Sequence, residues 1–585
     1  MKLITTAYKG TESVPEADTL FLGAWCQTYD KEGNEKNFNV LPYHWENREK
    51  AAKDSEYLND LCLRLAPILS QELNKLHKTN FSERSWYLMI GYWLTQFLAV
   101  AFDRWSMLQA AENDYTSLTS DVINENRGFQ TPNNSEEATD QFIDDKWNHT
   151  FIGKIMEKWT NIEITKKNFE NDTSTVDIDP IRIHNIKKIK KLLKKSASLF
   201  LALSRISKKR YVIYSSRLST EGLLHFWFRI SGKVYYEPIF PTLPKFDYDK
   251  NMRNWKLLIS ESDTLFEKIV KELIPLWIPM VYVEGLSTVH NLIEAKKLPG
   301  HPDVIFTANK HFNDDVFKYW AATKIDSGSK LVIGQHGGRL NKFNGALAYE
   351  SNLGDLYAAI GGINGGLSHF RNVGQFWARF TYGKWNQLGM GIIVTVAMPR
   401  YAFDLRSMAL AGQMLSYFED QFAFYGNLPS EIQAQMRIRL YPVDYGWNQK
   451  QRWLDHFPSV QLDEGSTPIK KIVKKCRLFI STYNATTYLE SLAANIPTVI
   501  YWDKHYWEWP EWADDDFSAL QSVGIFHETP ESAAKHVTVI WDNVAQWWSA
   551  PKLQSVRQKF CRKYAHRHPS VITRLADVLR EAAES

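Results

Sequence analysis

The second half of the chain alternates short apolar runs with segments of helical periodicity, and this order constrains the fold more than any other feature. Strand-like runs occur at Asp303–Asn309, at Lys330–Gly338 and again from Gly391. The residues between them, around Thr288–Ala295 and Asn313–Thr323, have helical spacing. Strands that alternate with helices form parallel sheets. We therefore predict a parallel α/β arrangement here.

The pattern contains two such series, one before and one after residue 386. The first is predicted to begin with a strand at Met280–Gly285. In the second, a helix follows the Gly391 strand because Met408, Ala411, Leu415, Phe418 and Phe422 share one helical face. Further strands are predicted at Met436–Pro442, Cys476–Thr482 and Pro497–Asp503, with a helix at Asn484–Asn495. Two series predict two doubly wound lobes.

The first half reads as aromatic-rich and helical. A strand is predicted at Thr19–Cys26, with helices over Arg48–Leu76 and Glu83–Ala111, whereas the polar stretch Glu112–Asp179 reads as loops or an insertion. The uncharged run Trp86–Phe102 approaches the length of a membrane span. Because Thr and Gln interrupt it and charges flank it closely, we predict a buried helix instead.

Composition narrows the class of protein. A chain of 585 residues is too long for one core, so two large lobes are expected. The 70 basic and 66 acidic residues nearly balance, which gives no reason to expect a nucleic-acid partner. Four scattered cysteines indicate free thiols in a reducing compartment. The N-terminal residues lack the apolar run of a secretory signal, and we predict a cytoplasmic protein.

A basic amphipathic helix is predicted at Ile181–Arg210, where isoleucines and leucines recur at helical spacing among lysines. Such a helix can lie on an anionic membrane surface, which suits an enzyme with a lipid-anchored acceptor. A solvated helix face is the alternative.

The sharpest motif is Ile480–Asp503, in which a strand runs into a hydroxyl-rich bend and then a helix. Helix N-termini bind phosphate because their first backbone N–H groups lack partners within the helix. We predict that this bend binds a nucleotide phosphate and that Glu490 accepts hydrogen bonds from ribose; helix capping is the alternative. The residues assigned to donor binding here are Ser481, Thr482, Asn484, Thr486, Thr487 and Glu490.

Two further candidates follow other strands. Arg439 and Tyr441, at the end of the Met436–Pro442 strand, are predicted to contact the donor, and Asp444 in the next loop is predicted to act on sugar hydroxyls. An aromatic turn is the alternative. Arg400, after the Gly391 strand, is predicted to neutralise a phosphate or carboxylate.

The third motif is Ile333–Gly338, in which a strand stops at Gln335 and His336 before two glycines. Glycine lets backbone approach a ligand closely, and a histidine there can titrate near neutral pH as a general base. We assign Gln335 and His336 to catalysis, with a structural histidine as the alternative. No Walker A, zinc-binding H-E-x-x-H or Asp-x-Asp motif is present, so we predict neither metal nor cofactor.

These motifs carry a resemblance that spans nearly the whole chain. The segments FLGAWC, LPYHWENREK, FDRWSM, GQHGG, YPVDYGWNQKQRW, STYNATTYLESLAANIPTVIYWD and GIFHETPESAAKHV resemble a family of bacterial surface-polysaccharide transferases for O-antigen and capsule. The resemblance implies a GT-B-like α/β fold, with two Rossmann-like lobes facing across a cleft. It also implies an acceptor-side lobe over residues 1–385 with a helical insertion around 112–275, a donor lobe over 386–550, and a C-terminal helix over 551–585 that packs back across the lobes.

The family resemblance also sets the expected reaction. Related enzymes that use CMP-linked acidic sugars carry His-Pro where this chain has Tyr441-Pro442, so the donor base stays open. GQHGG is similar to the turn in enzymes that transfer glycerol phosphate from CDP-glycerol. We predict an inverting, metal-independent glycosyltransferase that moves a sugar from a nucleotide donor to a glycan or lipid-linked glycan, at the inner face of the membrane. A CDP-glycerol-like phosphotransferase and a non-catalytic glycan-binding scaffold are the alternatives.

Overall fold

Three parallel β-sheets form the framework of the protein. The computed structural model describes residues 1–8, 18–29, 39–124, 130–167, 210–216, 218–236, 239–296, 298–338, 340–361, 367–375, 380 and 382–585. The predicted α/β class of doubly wound parallel sheets is confirmed. The predicted basic helix at 181–210 lies outside the described residues, apart from Arg210.

The first sheet belongs to the N-terminal region, where sequence analysis expected mainly helices and loops. Its strands are β1 (Lys2–Ile4), β2 (Thr19–Phe21), β3 (Asn39–Val40), β4 (Thr119–Ile123) and β5 (Glu163–Lys167), in the order β3-β2-β1-β4-β5. Its helices are α1 (Arg48–His77), α2 (Glu83–Asp114), α3 (Ser135–Gln141) and α4 (Asp145–Trp159). The stretch read as an insertion around 112–179 thus supplies β4, α3, α4 and β5. The predicted strand Thr19–Cys26 stops at Phe21 and gives way to a 3₁₀ turn at Ala24–Cys26.

Helix α2 is the predicted buried helix. Ser82 caps its N-terminus by accepting a hydrogen bond from the backbone N–H of Ser85. Its apolar surface is covered because α2 lies against α1 and against two helices of the second sheet. That position explains the uncharged stretch Trp86–Phe102 without a bilayer. Among the described helices, none combines the length and apolar character that a membrane span needs.

The second sheet follows. Its strands are β6 (Tyr211–Tyr214), β7 (Val234–Tyr236), β8 (Val304–Thr307), β9 (Lys330–Gly334), β10 (Leu356–Ala359) and β11 (Phe370–Asn372), in the order β11-β10-β9-β8-β6-β7. Its helices are α5 (Thr220–Arg229), α6 (Leu265–Trp277), α7 (Leu286–Glu294), α8 (Lys310–Asn313), α9 (Asp315–Ile325) and α10 (Gly345–Leu353). The predicted strand Met280–Gly285 is wrong. Pro279 precedes this run, which forms a 3₁₀ turn at Met280–Tyr282, and Met280 N–H donates to the carbonyl of Pro132 rather than to a strand.

The third sheet has the strand order of dinucleotide-binding folds, with its crevice between β12 and β15. Its strands are β12 (Met390–Val394), β13 (Met436–Arg439), β14 (Leu462–Asp463), β15 (Cys476–Ser481), β16 (Thr498–Tyr501) and β17 (Phe526–His527), in the order β14-β13-β12-β15-β16-β17. Its helices are α11 (Met414–Gly426), α12 (Ser430–Gln433), α13 (Gln449–His456), α14 (Ile469–Val473), α15 (Thr486–Ala493), α16 (Asp514–Gln521), α17 (Pro530–Ile540) and α18 (Val544–Ser549).

The chain then returns from the third sheet to the second. Helix α19 (Pro551–Tyr564) packs against α15 and α16, and helix α20 (Val571–Glu584) packs against α5 and strands β8, β9 and β10. The segment between these helices therefore bridges the two sheets.

The carboxyl edge of the third sheet meets loops from both other sheets. From the second sheet, the loop after β9 accepts a hydrogen bond at the carbonyl of Leu340 from Asn484 Nδ2, at 2.8 Å. From the first sheet, the loop after β2 accepts one at the carbonyl of Trp25 from Arg400, at 2.9 Å. Ligands of such sheets bind beyond the carboxyl ends of the strands, so this junction is the place to look for a site.

Candidate active site

The corner after strand β9 holds His336. Gln335 fixes its shape, because Nε2 donates to the carbonyl of Gly337 at 2.9 Å and Oε1 accepts from the backbone N–H of Ile360 at 2.7 Å. Gln335 is buried, whereas His336 is half-buried. The rings of His336 and Phe312 meet edge-on, with their centroids 6.2 Å apart. In this structure Gln335 positions the corner, and His336 is the residue that retains access to solvent.

The two glycines of the corner lie directly against helix α15. A Cβ atom on Gly337 would come within 2.6 Å of Thr486 Oγ1, and one on Gly338 would overlap the side chain of Leu489. Glycine is needed because any larger residue would separate the corner from the helix. The structure thus brings the His336 corner and the N-terminus of α15 together.

Most polar side chains of the bend before α15 are turned inward. Those of Ser481, Thr482, Asn484, Thr487 and Glu490 are each less than a tenth exposed. Thr482 Oγ1 donates to the carbonyl of Val394 at 3.2 Å and shares a hydrogen bond of 2.5 Å with the hydroxyl of Tyr417.

The other buried groups of the bend are also held by the protein itself. Ser481 Oγ donates to the carbonyl of Tyr483 at 3.4 Å, and the hydroxyls of Thr487 and Tyr483 lie 2.6 Å apart. These bonds hold the turn between β15 and α15, which is a structural role. A donor-binding role for the five buried residues stays a prediction.

None of the bend's hydroxyl or amide side chains caps helix α15. Its N-cap residue is Ala485, which has no side-chain acceptor, and the half-buried Thr486 is its first residue. The capping alternative raised by the sequence is therefore not realised. The first backbone N–H groups of α15 keep their positive potential at the edge of the His336 corner.

The loop after β13 is arranged for structure. Asp444 caps helix α13, since Oδ2 accepts from the backbone N–H of Asn448 and Oδ1 from that of Gln449, each at 2.7 Å. Tyr441 is exposed and stacks on Tyr445 at a centroid distance of 6.2 Å. Each oxygen of Asp444 accepts one backbone hydrogen bond and can accept another, so its predicted catalytic role stays a prediction.

Both arginines assigned to the donor are paired inside the protein. Arg400 makes an ion pair with Asp145 and donates to the carbonyl of Trp25. Arg439 binds Asp463 at 2.6 Å and donates to the carbonyl of Thr467 at 2.8 Å. Each guanidinium thus has a carboxylate partner within the protein, and a donor contact by either stays a prediction.

Sequence analysis missed the basic segment that bridges α19 and α20. From Arg562 to Arg574, both included, the chain carries four arginine or lysine residues and two histidines, and no acidic residue. That charge run was the available signal. Its nearness to the His336 corner depends on the return of the chain to the second sheet, which the family resemblance implied as a single C-terminal helix over 551–585 and which the structure forms with two helices.

A pocket of about 500 Å³ lies elsewhere. It is lined by the α1–α2 turn together with α7 and α9, and by none of the residues assigned above; its walls include His77, Phe81, His290 and Tyr319.

All four cysteines are free and buried, and burial raises the pKa of each thiol to about 12. Within the described ranges, no group of three His, Cys, Asp or Glu residues is arranged to hold a metal ion.

Several solved structures show a weak likeness to this chain. Spinosyn rhamnosyltransferase SpnG complexed with spinosyn aglycone is 11% identical, with a TM-score of 0.32, over 63% of this chain and 100% of its own. UGT73P12 of Glycyrrhiza uralensis, complexed with glycyrrhetinic acid 3-O-monoglucuronide, is 10% identical, with a TM-score of 0.34, over 67% and 93%. A glycosyltransferase from Rickettsia africae is 10% identical, with a TM-score of 0.31, over 65% and 100%. At these scores the likeness adds nothing to what the sheets show.

Comparison with protein families, in contrast, identifies the family of this chain. No curated protein matches the chain. The family model described as "LIC12162 family transferase" matches residues 1–579, which is almost the whole chain. This protein therefore belongs to the LIC12162 family of transferases.

Proposed function

We propose that the protein is a glycosyltransferase of bacterial surface-polysaccharide assembly that moves a sugar from a nucleotide donor to a glycan or lipid-linked glycan. One observation carries the proposal: the N-terminus of α15, without a side-chain cap, lies against the corner that holds His336. A base beside an anion-attracting helix end is the arrangement that sugar transfer from a nucleotide needs.

Each part of the junction has a role in this proposal. His336 removes the proton of the acceptor hydroxyl as that oxygen attacks the anomeric carbon, in an inverting reaction. The nucleotide phosphate departs toward the N-terminus of α15, where backbone N–H groups and the hydroxyl of Thr486 stabilise its charge. Gln335 keeps His336 in place through its two amide hydrogen bonds. No step requires a metal.

The family membership supports transfer of a group, and the junction supports a phosphate-bearing donor. The identity of the sugar, of its base and of the acceptor belongs to the proposal, as does action in the cytoplasm at the inner membrane face. A basic segment such as 181–210 would suit contact with anionic lipid there.

A turnover assay with a panel of nucleotide sugars and CDP-glycerol tests the function. The acceptor product is identified by mass, so that transfer of a sugar is distinguished from transfer of glycerol phosphate. His336→Ala is expected to lower kcat by about 10²- to 10⁴-fold, the usual contribution of a general base. Its nucleotide Kd should be unchanged, because the base does not hold the phosphate.

The matched control is His301→Ala. His301 is exposed and precedes β8, at the opposite edge of the second sheet, so its removal should leave kcat unchanged. Full activity of His336→Ala would eliminate the proposed base. Absence of turnover with every donor, together with glycan binding, would favour the non-catalytic scaffold.

A further inference from the structure

Residues Arg562 to Arg574, which comprise the end of α19, the connection and the start of α20, are here called the basic crossing. It carries Arg562, Lys563, Arg567 and Arg574 together with His566 and His568, and no acidic residue interrupts it. It joins the third sheet to the second at the carboxyl edges of their strands. A concentration of positive charge at that edge needs a physical explanation.

Backbone contacts place the basic crossing on the second sheet. The N–H of Gln375 donates to the carbonyl of His566 at 2.7 Å. A Cβ on Gly361, just after β10, would lie 2.5 Å from the carbonyl of Lys563, and one on Gly374, after β11, would lie 2.8 Å from that of His566. Both glycines also have positive φ. The basic crossing thus runs across the carboxyl ends of β10 and β11, beside the His336 corner.

The same segment reaches helix α15 from the other side. Arg557, midway along the helix α19 that leads into the basic crossing, donates to the carbonyl of Leu492 of α15 at 2.7 Å. Arg567 lies close enough to Glu490 for the two charges to interact. Glu490 follows Thr486 by four residues, a rise of about 6 Å on the same helix face. The carboxylate that interacts with Arg567 therefore belongs to the helical turn next to the contact between Thr486 and Gly337.

Most of the positive charge in the basic crossing is not neutralised. Lys563 pairs with Asp516 at 2.5 Å, and Arg567 donates weakly to the carbonyl of Phe380 at 3.5 Å. No ion pair joins Arg562, Arg567 or Arg574 to a carboxylate in the part of the chain that the structure describes. Burial lowers the pKa of His566, and the charges of His568, Arg574 and Arg562 lower it further. The His566 ring therefore lies among cationic side chains, and a bound anion would relieve their mutual repulsion.

We propose that the basic crossing binds the phosphate groups of the nucleotide donor, with Arg567 and Arg562 as the contacting side chains. Arginine suits this role because its planar guanidinium can bind two phosphate oxygens at once. The proposal rests on the proposed function for the source of the phosphate. It adds that phosphate is held between the N-terminus of α15 and a segment outside the third sheet.

Binding measurements test this inference separately from turnover. Calorimetric titration of the full-length protein with CMP, CDP, UDP, GDP and inorganic pyrophosphate gives Kd for wild type, Arg567→Ala and Arg562→Ala. We expect Arg567→Ala to weaken binding of the preferred nucleotide about tenfold, and Arg562→Ala about threefold, as lost charge-assisted contacts do. Pyrophosphate should displace the nucleotide from the wild type but poorly from Arg567→Ala.

Lys552→Ala is the matched control. Lys552 is exposed on the same helix as Arg562 and ten residues before it, about 15 Å away, so its removal should leave Kd unchanged. Arg562 is exposed and has no side-chain hydrogen bond to another described residue, so Arg562→Ala keeps the test valid if Arg567→Ala fails to fold.

Three results would overturn the inference. Equal nucleotide affinity in wild type and both arginine variants would remove the site, even if turnover proceeds and the proposed function stands. An unchanged nucleotide Kd with a raised KM for the acceptor would assign the basic crossing to an acidic acceptor instead. Failure of every nucleotide and of pyrophosphate to bind the wild type would overturn this inference and the proposed function together.

Discussion

Replacing Arg400 by methionine separates a structural role of this residue from contact with the donor. Arg400, after β12, forms an ion pair with Asp145 of α4, and their side chains are 6% and 13% exposed. It also donates to the carbonyl of Trp25. The pair therefore ties the first sheet to the third, and its loss should appear as lost stability rather than as weaker ligand binding.

The expected magnitude follows from these contacts. Removing one partner of a buried ion pair costs about 3–5 kcal/mol, because the remaining charge stays desolvated. The hydroxyl of Tyr401 still donates to Asp145 and partly compensates that carboxylate. We therefore expect Arg400→Met to lower the free energy of unfolding by about 3 kcal/mol, the lower end of that range. Asp145→Asn combined with Arg400→Met removes both charges and should recover about 1–3 kcal/mol relative to the sum of the single changes.

Chemical denaturation of the four proteins measures this coupling, and nucleotide titration under folded conditions measures binding. An unfolding free energy of Arg400→Met equal to that of the wild type would refute the structural reasoning, as would strict additivity in the double variant. A nucleotide Kd that rises at least tenfold in a fully folded Arg400→Met protein would instead support the donor contact predicted from the sequence.

Two further predictions follow from close contacts and from burial. Gly337→Ala should lower the free energy of unfolding by about 1–3 kcal/mol and reduce turnover, because the new Cβ would lie 2.6 Å from Thr486 Oγ1. Adding Thr486→Ala removes that oxygen and should restore much of the lost stability. Thermal unfolding of the single and double variants measures both effects. If Thr486→Ala restores nothing, the clash is not the cause. Burial and the charges of Asp503 and Glu531 raise the pKa of Asp420 to about 7. Because this folded-state pKa lies above the unfolded value, ionised Asp420 opposes folding, and the penalty grows from about pH 4 to pH 7. Asp420→Asn should therefore stabilise the protein at pH 8 more than at pH 5, by about 1 kcal/mol after allowance for solvent screening; an equal Tm difference at both pH values would contradict this.

Four of the six strands of the third sheet were predicted from sequence, namely β12, β13, β15 and β16, whereas most of the first sheet was not. Strand β15 is a buried apolar run followed by a recognisable helix, so its pattern is strong. By contrast, β1 and β3 have three and two residues, too few for any periodicity to appear. The long helices α1 and α2 were also predicted, and each is preceded by a capping residue, Asn47 and Ser82.

Site residues were harder to predict because burial and pairing are decided by contacts distant in sequence. Arg400 meets a carboxylate 255 residues earlier in the chain, which no local pattern reveals. The contact of Gly337 with α15 is similar: sequence indicated a close backbone approach but not its partner. The polar side chains of the bend were recognised as a cluster, whereas the directions of Thr482 and Asn484 depend on Tyr417 of helix α11 and on Leu340 of the loop after β9.

The return of the chain to the second sheet limits how the protein can move. The second and third sheets are connected twice, once between β11 and β12 and once between α19 and α20. A body held to its neighbour at two separate points rotates most easily about the line through both, and resists twisting across that line. Any opening of the His336 junction should therefore follow a single axis, which keeps the corner and the start of α15 in register each time they close.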